Sequence, residues 1–383
     1  MLLILCIIYN LIISNNMYTH FYANSRLDSY IDAVPSYKGR LKLQINTASE
    51  ETEETSNRLI LTDGNNFYVD ALTEIICIRQ DGRILWKRPK WYGSKVLLNN
   101  GDIFFQSPER KDDMESVDAS NKLLIQNFPI PGIIDESFLV LFEPDKKGIY
   151  AQVQYAELPE VSVPEYIIYR ADAGGLGYTW YQRYPNQICP AIPLINLKND
   201  FLLTYSQTEG QIFKLSGKKG EVQADFKFSL PEKYDTIFAS SSKDGDIFLV
   251  WSSGHSITLR CFNSKAQEKY QVKTENNFLG KSTVVSPPVV TPDGYIFILS
   301  GNGIFCINNE RILWSTEIQF AEFATAFQDN SVIVAARNIL LHFKVSGEKI
   351  FRYGVKDPVT APVILNSQGE LVFCTKNSVC FLN

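Results

Sequence analysis

The residues that could do chemistry in this chain are few and widely spaced. Histidine occurs three times, as His20, His255 and His342. A His-based metal site or a Ser-His-Asp triad needs such side chains to converge. His20 lies near the N-terminus, and the other two fall in separate segments, so packing or surface roles are expected for them. Four carboxylates cluster in Ser49-Glu-Glu-Thr-Glu-Glu-Thr-Ser56 and could attract a cation. A like-charge run of this kind is expected to be a solvated connection. Ala173-Gly-Gly-Leu-Gly177 lacks the G-x-G-x-x-G spacing of a phosphate loop. Trp91, Tyr92, Tyr178 and Tyr181 could stack on sugars if exposed, although aromatic side chains more often fill cores.

Seven cysteines occur: Cys6, Cys77, Cys189, Cys261, Cys306, Cys374 and Cys380. None forms a C-x-x-C pair, which argues against zinc and thioredoxin-like chemistry. Cys77, Cys306 and Cys380 fall at comparable places in Ile-Ile-Cys-Ile, Ile-Phe-Cys-Ile and Ser-Val-Cys-Phe. They read as small buried hydrophobes on strands, with free thiols. Ser242-Lys-Asp-Gly-Asp-Ile-Phe-Leu-Val-Trp251 approaches a sialidase Asp-box, but Gly follows Asp directly and the spacing fails. Its Asp244-Gly-Asp is expected to be a hairpin turn. No cofactor and no metal site is expected.

The bulk composition agrees with a structural role for most residues. Hydrophobic residues make up 45% of the 383, aromatics 13% and charged residues 21%. Aromatic and β-branched richness favours an all-β globular protein over disorder. The net charge of −5 carries no nucleic-acid footprint. No run of Lys and Arg suggests an anionic membrane surface. Residues 2–13 are apolar but short for a bilayer span, and they fit a secretory h-region. No Lys or Arg precedes them and no A-x-A site follows. Export is the expectation, with 1–23 as a leader-like segment and linker, and 24–383 as a single domain.

The elements that must position these residues come from a repeat. Eight segments share a short apolar run, a polar turn usually carrying Gly, Asn or Asp, and a second apolar run. Examples are Arg58 to Val69, Lys95 to Phe105, Ile237 to Val250, Pro288 to Ile298 and Ala361 to Phe373. Each is a hairpin signal, because these turn residues tolerate positive φ. Two further runs follow each hairpin, most clearly in Ile75 to Trp86 and Ile304 to Trp314. Four strands per unit of about 40–45 residues is the period of a propeller blade. Trp86, Trp180, Trp314 and Phe351 are read as fourth-strand residues that lock one blade on the next. The equivalent places between them are near Ile125, Ala224 and Tyr270.

The predicted fold is therefore an all-β, eight-bladed β-propeller with four antiparallel strands per blade, and seven blades as the alternative. The chain ends at Asn383 in what reads as a third strand without a fourth. Lys38 to Ile45 reads as a fourth strand without the first three. Joining the two would close the ring and hide both edges.

Gln80-Asp-Gly-Arg-Ile-Leu-Trp86, Ala171-Asp-Ala-Gly-Gly174 with Trp180, and Asn309-Glu-Arg-Ile-Leu-Trp314 carry a family likeness. They resemble the repeat of the PQQ-like (quinoprotein-type) propellers, in which an Asp/Gly turn leads to a fourth strand ending in Trp. The resemblance covers nearly all of residues 37–383, though most blades lack the Trp and the family's Thr-Gly turn is absent. One branch of that family comprises dehydrogenases that hold PQQ and calcium at the axis. It implies a vicinal Cys-Cys pair and long inserted loops, which this sequence lacks. The other branch is non-enzymatic, such as the lipoprotein subunit of the outer-membrane β-barrel assembly machine. The resemblance thus implies a non-catalytic, exported scaffold in the periplasm or cell envelope. It would be monomeric by itself and bind protein partners through its loop faces, without nucleic acid and without a transmembrane span. A quinone-dependent enzyme, or a ligand or carbohydrate sensor at the axis, is the alternative.

Overall fold

The computed structural model describes residues 30–47 except 32, 57–129 with short gaps, the strands between 138 and 230, and 237–383 with short gaps. From 125 to 225 those strands are described through their backbones. Residues 1–29, the acidic stretch from 49 to 56, and Cys189 lie outside the described residues.

Thirty-three strands form eight sheets among the described residues. Two strands come first in the chain, β1 (Tyr30–Ile31) and β2 (Leu41–Asn46). Sheet 1 holds β3 (Asn57–Thr62), β4 (Asn66–Ala71), β5 (Glu74–Arg79) and β6 (Ile84–Pro89). Sheet 2 holds β7 (Leu97–Asn99), β8 (Asp102–Gln106), β9 (Asp113–Val117) and β10 (Leu123–Pro129). Sheet 3 runs through β11 (Phe138–Asp145), β12 (Gly148–Gln154), β13 (Glu165–Asp172) and β14 (Tyr178–Pro185). Sheet 4 runs through β15 (Ile195–Asn196), β16 (Phe201–Tyr205), β17 (Glu209–Leu215) and β18 (Val222–Ser229). Sheet 5 contains β19 (Ile237–Ser241), β20 (Ile247–Ser253), β21 (Ser256–Phe262) and β22 (Glu268–Glu275). Sheet 6 contains β23 (Val289–Val290), β24 (Ile296–Ser300), β25 (Gly303–Asn308) and β26 (Arg311–Glu317). Sheet 7 has β27 (Ala321–Phe327), β28 (Val332–Ala336), β29 (Ile339–Phe343) and β30 (Lys349–Gly354), with β1 added beside β27. In sheet 8, β31 (Ile364–Leu365), β32 (Leu371–Thr375) and β33 (Ser378–Leu382) are completed by β2.

Apart from the added β1 and β2, each sheet is an antiparallel meander, as short polar turns demand. The turn between β19 and β20 is the Asp244-Gly-Asp hairpin: Ser242 N donates to Asp246 O at 2.9 Å, and Gly245 has φ 90°. Middle strands such as β24 are buried at every position, because both faces meet another sheet. Fourth strands alternate exposed and half-buried, as β6 does throughout and β30 does from Ile350 onward, because only one face is covered.

The cores lie between sheets. Val250, Ile298 and Phe305 join sheets 5 and 6. Phe297, Cys306 and Val334 join sheets 6 and 7, and Ile333, Phe373 and Leu382 join sheets 7 and 8. Phe67, Ile76 and Phe381 join sheet 8 back to sheet 1. Burying one such side chain contributes roughly 1.5–3 kcal/mol.

β2 pairs antiparallel with β33 from Leu41↔Leu382 to Asn46↔Ser378. Arg40 and Asn383 also exchange backbone hydrogen bonds, at 2.6 and 2.8 Å. The strand thus begins three residues later than Lys38, and 38–40 act as the turn. β1 is an element the sequence pattern did not announce. It lies parallel to β27, with Tyr30 opposite Ala326 and Ile31 opposite Phe327. Two residues are too short to show a period.

Candidate functional site

Fourth-strand residues share one register position. Each pairs with its third strand at the first place after a one-residue shift: Trp86↔Cys77, Tyr270↔Cys261, Trp314↔Cys306 and Phe351↔His342. Ile125, Trp180 and Ala224 hold the same position in sheets 2, 3 and 4, and Leu43 holds it in sheet 8. The extra residue is a β-bulge, which re-aims the side chain that follows it.

The aim is toward the next sheet's last turn. Trp86 Nε1 donates to Ala119 O at 3.0 Å, across to sheet 2. Trp314 Nε1 donates to Val345 O at 2.7 Å, across to sheet 7. The receiving turn must leave room for a ring. Gly347, at φ 87°, lies so close to the Trp314 indole that an added Cβ would sit 3.1 Å from it. Phe351 meets Gly39 in the same way, at 2.6 Å, and packs edge-on against Tyr37 at 4.7 Å. Trp180 lies on β14, where its side chain is not described.

The cysteines need one correction. Cys77 and Cys306 occupy the same register place, but its occupant in sheet 8 is Phe381, not Cys380. Cys380 is one residue off and faces sheet 7. A one-residue slip moves a side chain to the opposite face. The true third member is Cys261. All five described cysteines are free and buried. Desolvation pushes the thiols of Cys77, Cys261 and Cys306 up to about 12, so they are poor nucleophiles.

In sheet 7 the cysteine place is taken by His342. It is buried, and Tyr37 OH lies 2.6 Å from its Nδ1. Its Nε2 has no hydrogen-bond partner. Desolvation lowers its pKa to about 4, against the opposing pull of Asp329. The neutral ring shares a hydrogen bond with the tyrosine hydroxyl and serves as a packing residue. His255 is exposed in the turn between β20 and β21.

Of the four candidate surface aromatics, Tyr92 is 59% exposed and Trp91 is half-buried. Tyr178 and Tyr181 lie on β14, with side chains outside the described set. They belong to sheet 3 and the first two follow sheet 1, so the structure does not gather the four on one strand or turn. Trp91 N donates to Gln106 O at 3.1 Å, which ties the connection after β6 to sheet 2.

Sequence reasoning missed a second exposed aromatic, Phe320, in the connection from β26 to β27. It is 56% exposed and has φ 58°. Arg337, at φ 50° between β28 and β29, places its guanidinium carbon 5.5 Å from the ring centre. Positive φ is costly for bulky residues and persists only when surroundings hold it. The Arg337 turn is held: its O accepts from Val359 N at 2.8 Å, and Asn338 O accepts from Val355 N at 2.7 Å. Asn338 Nδ2 also donates to Lys356 O at 3.0 Å. An exposed Phe after an outer strand was visible in the sequence, but its arginine lies a hairpin away.

A buried ion pair sits beneath the equivalent corner of sheet 1. Lys90 Nζ is 3.1 Å from Asp70 Oδ1, and neither side chain reaches solvent. The approach lacks hydrogen-bond geometry, since neither Asp70 oxygen accepts a hydrogen bond. No group of three or more His, Cys, Asp or Glu poised for a metal occurs among the described residues. No helix among them is long and apolar enough to cross a membrane.

No family model matches the chain, and no curated protein is similar to it in sequence. Solved structures match its fold. The structure of Sqt1 from Saccharomyces cerevisiae aligns with a TM-score of 0.65 at 12% identity, covering 91% of this chain and 99% of that one. BamB from Moraxella catarrhalis aligns at 0.58 and 11% identity, covering 91% and 97%. The Dos1 propeller aligns at 0.58 and 9% identity, covering 89% and 95%. At such identities the likeness is one of fold: the chain is an all-β protein of four-stranded antiparallel sheets, built like the β-propellers.

Proposed function

We propose that the chain is an exported, non-catalytic eight-bladed β-propeller that binds a protein partner through the loops of one face, in work at the cell envelope. Each sheet is one blade, and β2 on β33 closes the ring. The packing of sheet 8 against sheet 1 supports that closure. The apolar stretch 2–13 supports export. The resemblance of the repeats at Gln80–Trp86 and Asn309–Trp314 to the non-enzymatic PQQ-like propellers fits an envelope role, by analogy alone.

The observation that carries the binding role is Phe320 under Arg337. A clamped, exposed aromatic–arginine pair has the composition and rigidity of a binding hot spot. Nothing in its packing requires a phenylalanine that is 56% exposed. The test is a photo-crosslinking residue at position 320, used in intact cells. One discrete adduct is expected, weakened roughly tenfold or more by Arg337→Ala. A crosslinker at Asn65, in an exposed hairpin, should give no such adduct. A ladder of weak adducts, unchanged by Arg337→Ala, would refute the reading.

A further inference from the structure

Every described sheet ends on a fourth strand with an unpaired outer edge. Such edges are ordinarily blunted by Lys and Arg, which discourage edge-to-edge pairing. Five sheets that follow one another in the packing, numbers 6, 7, 8, 1 and 2, carry aliphatic residues as well. The segments just before their docking residues read Arg311-Ile-Leu313, Lys349-Ile350, Arg40-Leu-Lys42, Arg83-Ile-Leu85 and Lys122-Leu-Leu124, with Lys42 paired to Glu370. Leu313, Ile350, Leu41, Leu85 and Leu124 are between 42% and 49% exposed. Edge protection accounts for the cations and leaves these side chains unexplained, since an exposed leucine gains little from folding. The same place in sheet 5 is polar, with Gln267, Glu268 and Lys269.

The charge is one-sided too. Lys38, Arg40, Arg83, Arg311, Lys349 and Arg352 are exposed, and none forms an ion pair with another described residue. Two nearby carboxylates are engaged elsewhere, Glu348 by Lys344 and Asp81 by Arg79. Glu310, in the turn before β26, and Glu317, at its end, are the acidic counterweights in sheet 6, and Asp118 faces Lys122 in sheet 2. A chain with a net charge of −5 therefore has a cationic, leucine-bearing rim.

We infer that this rim docks on an anionic lipid bilayer surface, its Arg and Lys meeting headgroup phosphates and its Leu and Ile entering the interface. Cations beside aliphatic side chains are what segments lying on an anionic leaflet use. The five segments all begin their fourth strands, at the end opposite the connection that carries Phe320, so a flat surface meets them from that end, and the docking stands whether or not a protein binds at Phe320.

Flotation of the full chain with vesicles tests it. One set is phosphatidylcholine alone, and the other contains about one-third phosphatidylglycerol, at about 0.1 M salt where screening reaches ~10 Å. The chain should float with the anionic vesicles only and release as salt rises. Arg40→Glu/Arg83→Glu/Arg311→Glu should reduce binding roughly tenfold or more. Leu41→Ser/Leu85→Ser/Leu313→Ser/Ile350→Ser should do the same, while Phe320→Ser should not. Circular dichroism melts establish that each variant is folded. Equal flotation with both vesicle types would assign binding to the apolar N-terminal stretch and overturn the inference. So would folded rim variants that float normally, or a folded wild type that does not float. Rim-dependent binding of polyglutamate without vesicle binding would overturn it in favour of an acidic protein partner.

Discussion

His342 shows how one residue can depart from a repeat and still fit. Its counterparts Cys77, Cys261 and Cys306 are small and apolar, whereas the imidazole must be kept neutral to stay buried. Tyr37, from the segment leading into β2, supplies its hydrogen bond. Because the folded pKa is near 4 and the unfolded one near 6.5, the unfolded chain binds the extra proton between those values. The stability contribution is present above pH 6.5 and is lost as pH falls toward 4. The loss should be on the order of 2–3 kcal/mol. Urea melts across that range should show a steeper decline for wild type than for His342→Gln. Parallel slopes would remove the imidazole from the account.

At the scale of elements, a bulge before the fourth strand's docking residue recurs in every sheet. In sheets 1, 6 and 7 it turns a side chain onto the next sheet's last turn, where in sheets 7 and 8 Gly347 and Gly39 leave room. The two tryptophans add a hydrogen bond to a backbone carbonyl that a phenylalanine cannot make. Trp314→Phe should therefore cost about 1 kcal/mol. Trp314→Ala should cost about 2–4 kcal/mol, somewhat under the full-core range because the indole is half-buried. Denaturant unfolding measures both. An equal cost would mean that the ring's packing contributes nothing. The register was legible in the sequence: Trp86, Trp314 and Phe351 stand at matching distances from their turns, and Ile125, Ala224 and Tyr270 fall in the same register. Cys380 was misplaced because a motif match tolerates a one-residue offset that a pleated strand does not.

For the whole molecule, the β2–β33 pairing joins strands more than three hundred residues apart. A chain beginning at Thr47 would leave β33 an open apolar edge. It should lose stability and associate on size-exclusion chromatography. A synthetic peptide covering 37–47 should restore the monomer. If the shortened chain stays monomeric with unchanged melting, the pairing does not matter to the fold.

Hairpins, a four-strand period and the outward rhythm of fourth strands are local, and residue spacing alone determined them. The turn residues Gly, Asn and Asp act through their own φ, and alternation acts through the pleat. Three features needed the folded chain. β1 beside β27 is a two-residue contact with no period of its own. Phe320 meets Arg337 only because a hairpin brings the two together. The basic–aliphatic rim is divided among strands far apart in sequence, so no single stretch looked basic. Side chains separated by whole sheets become neighbours only when the sheets pack, and no spacing rule along the chain records that packing.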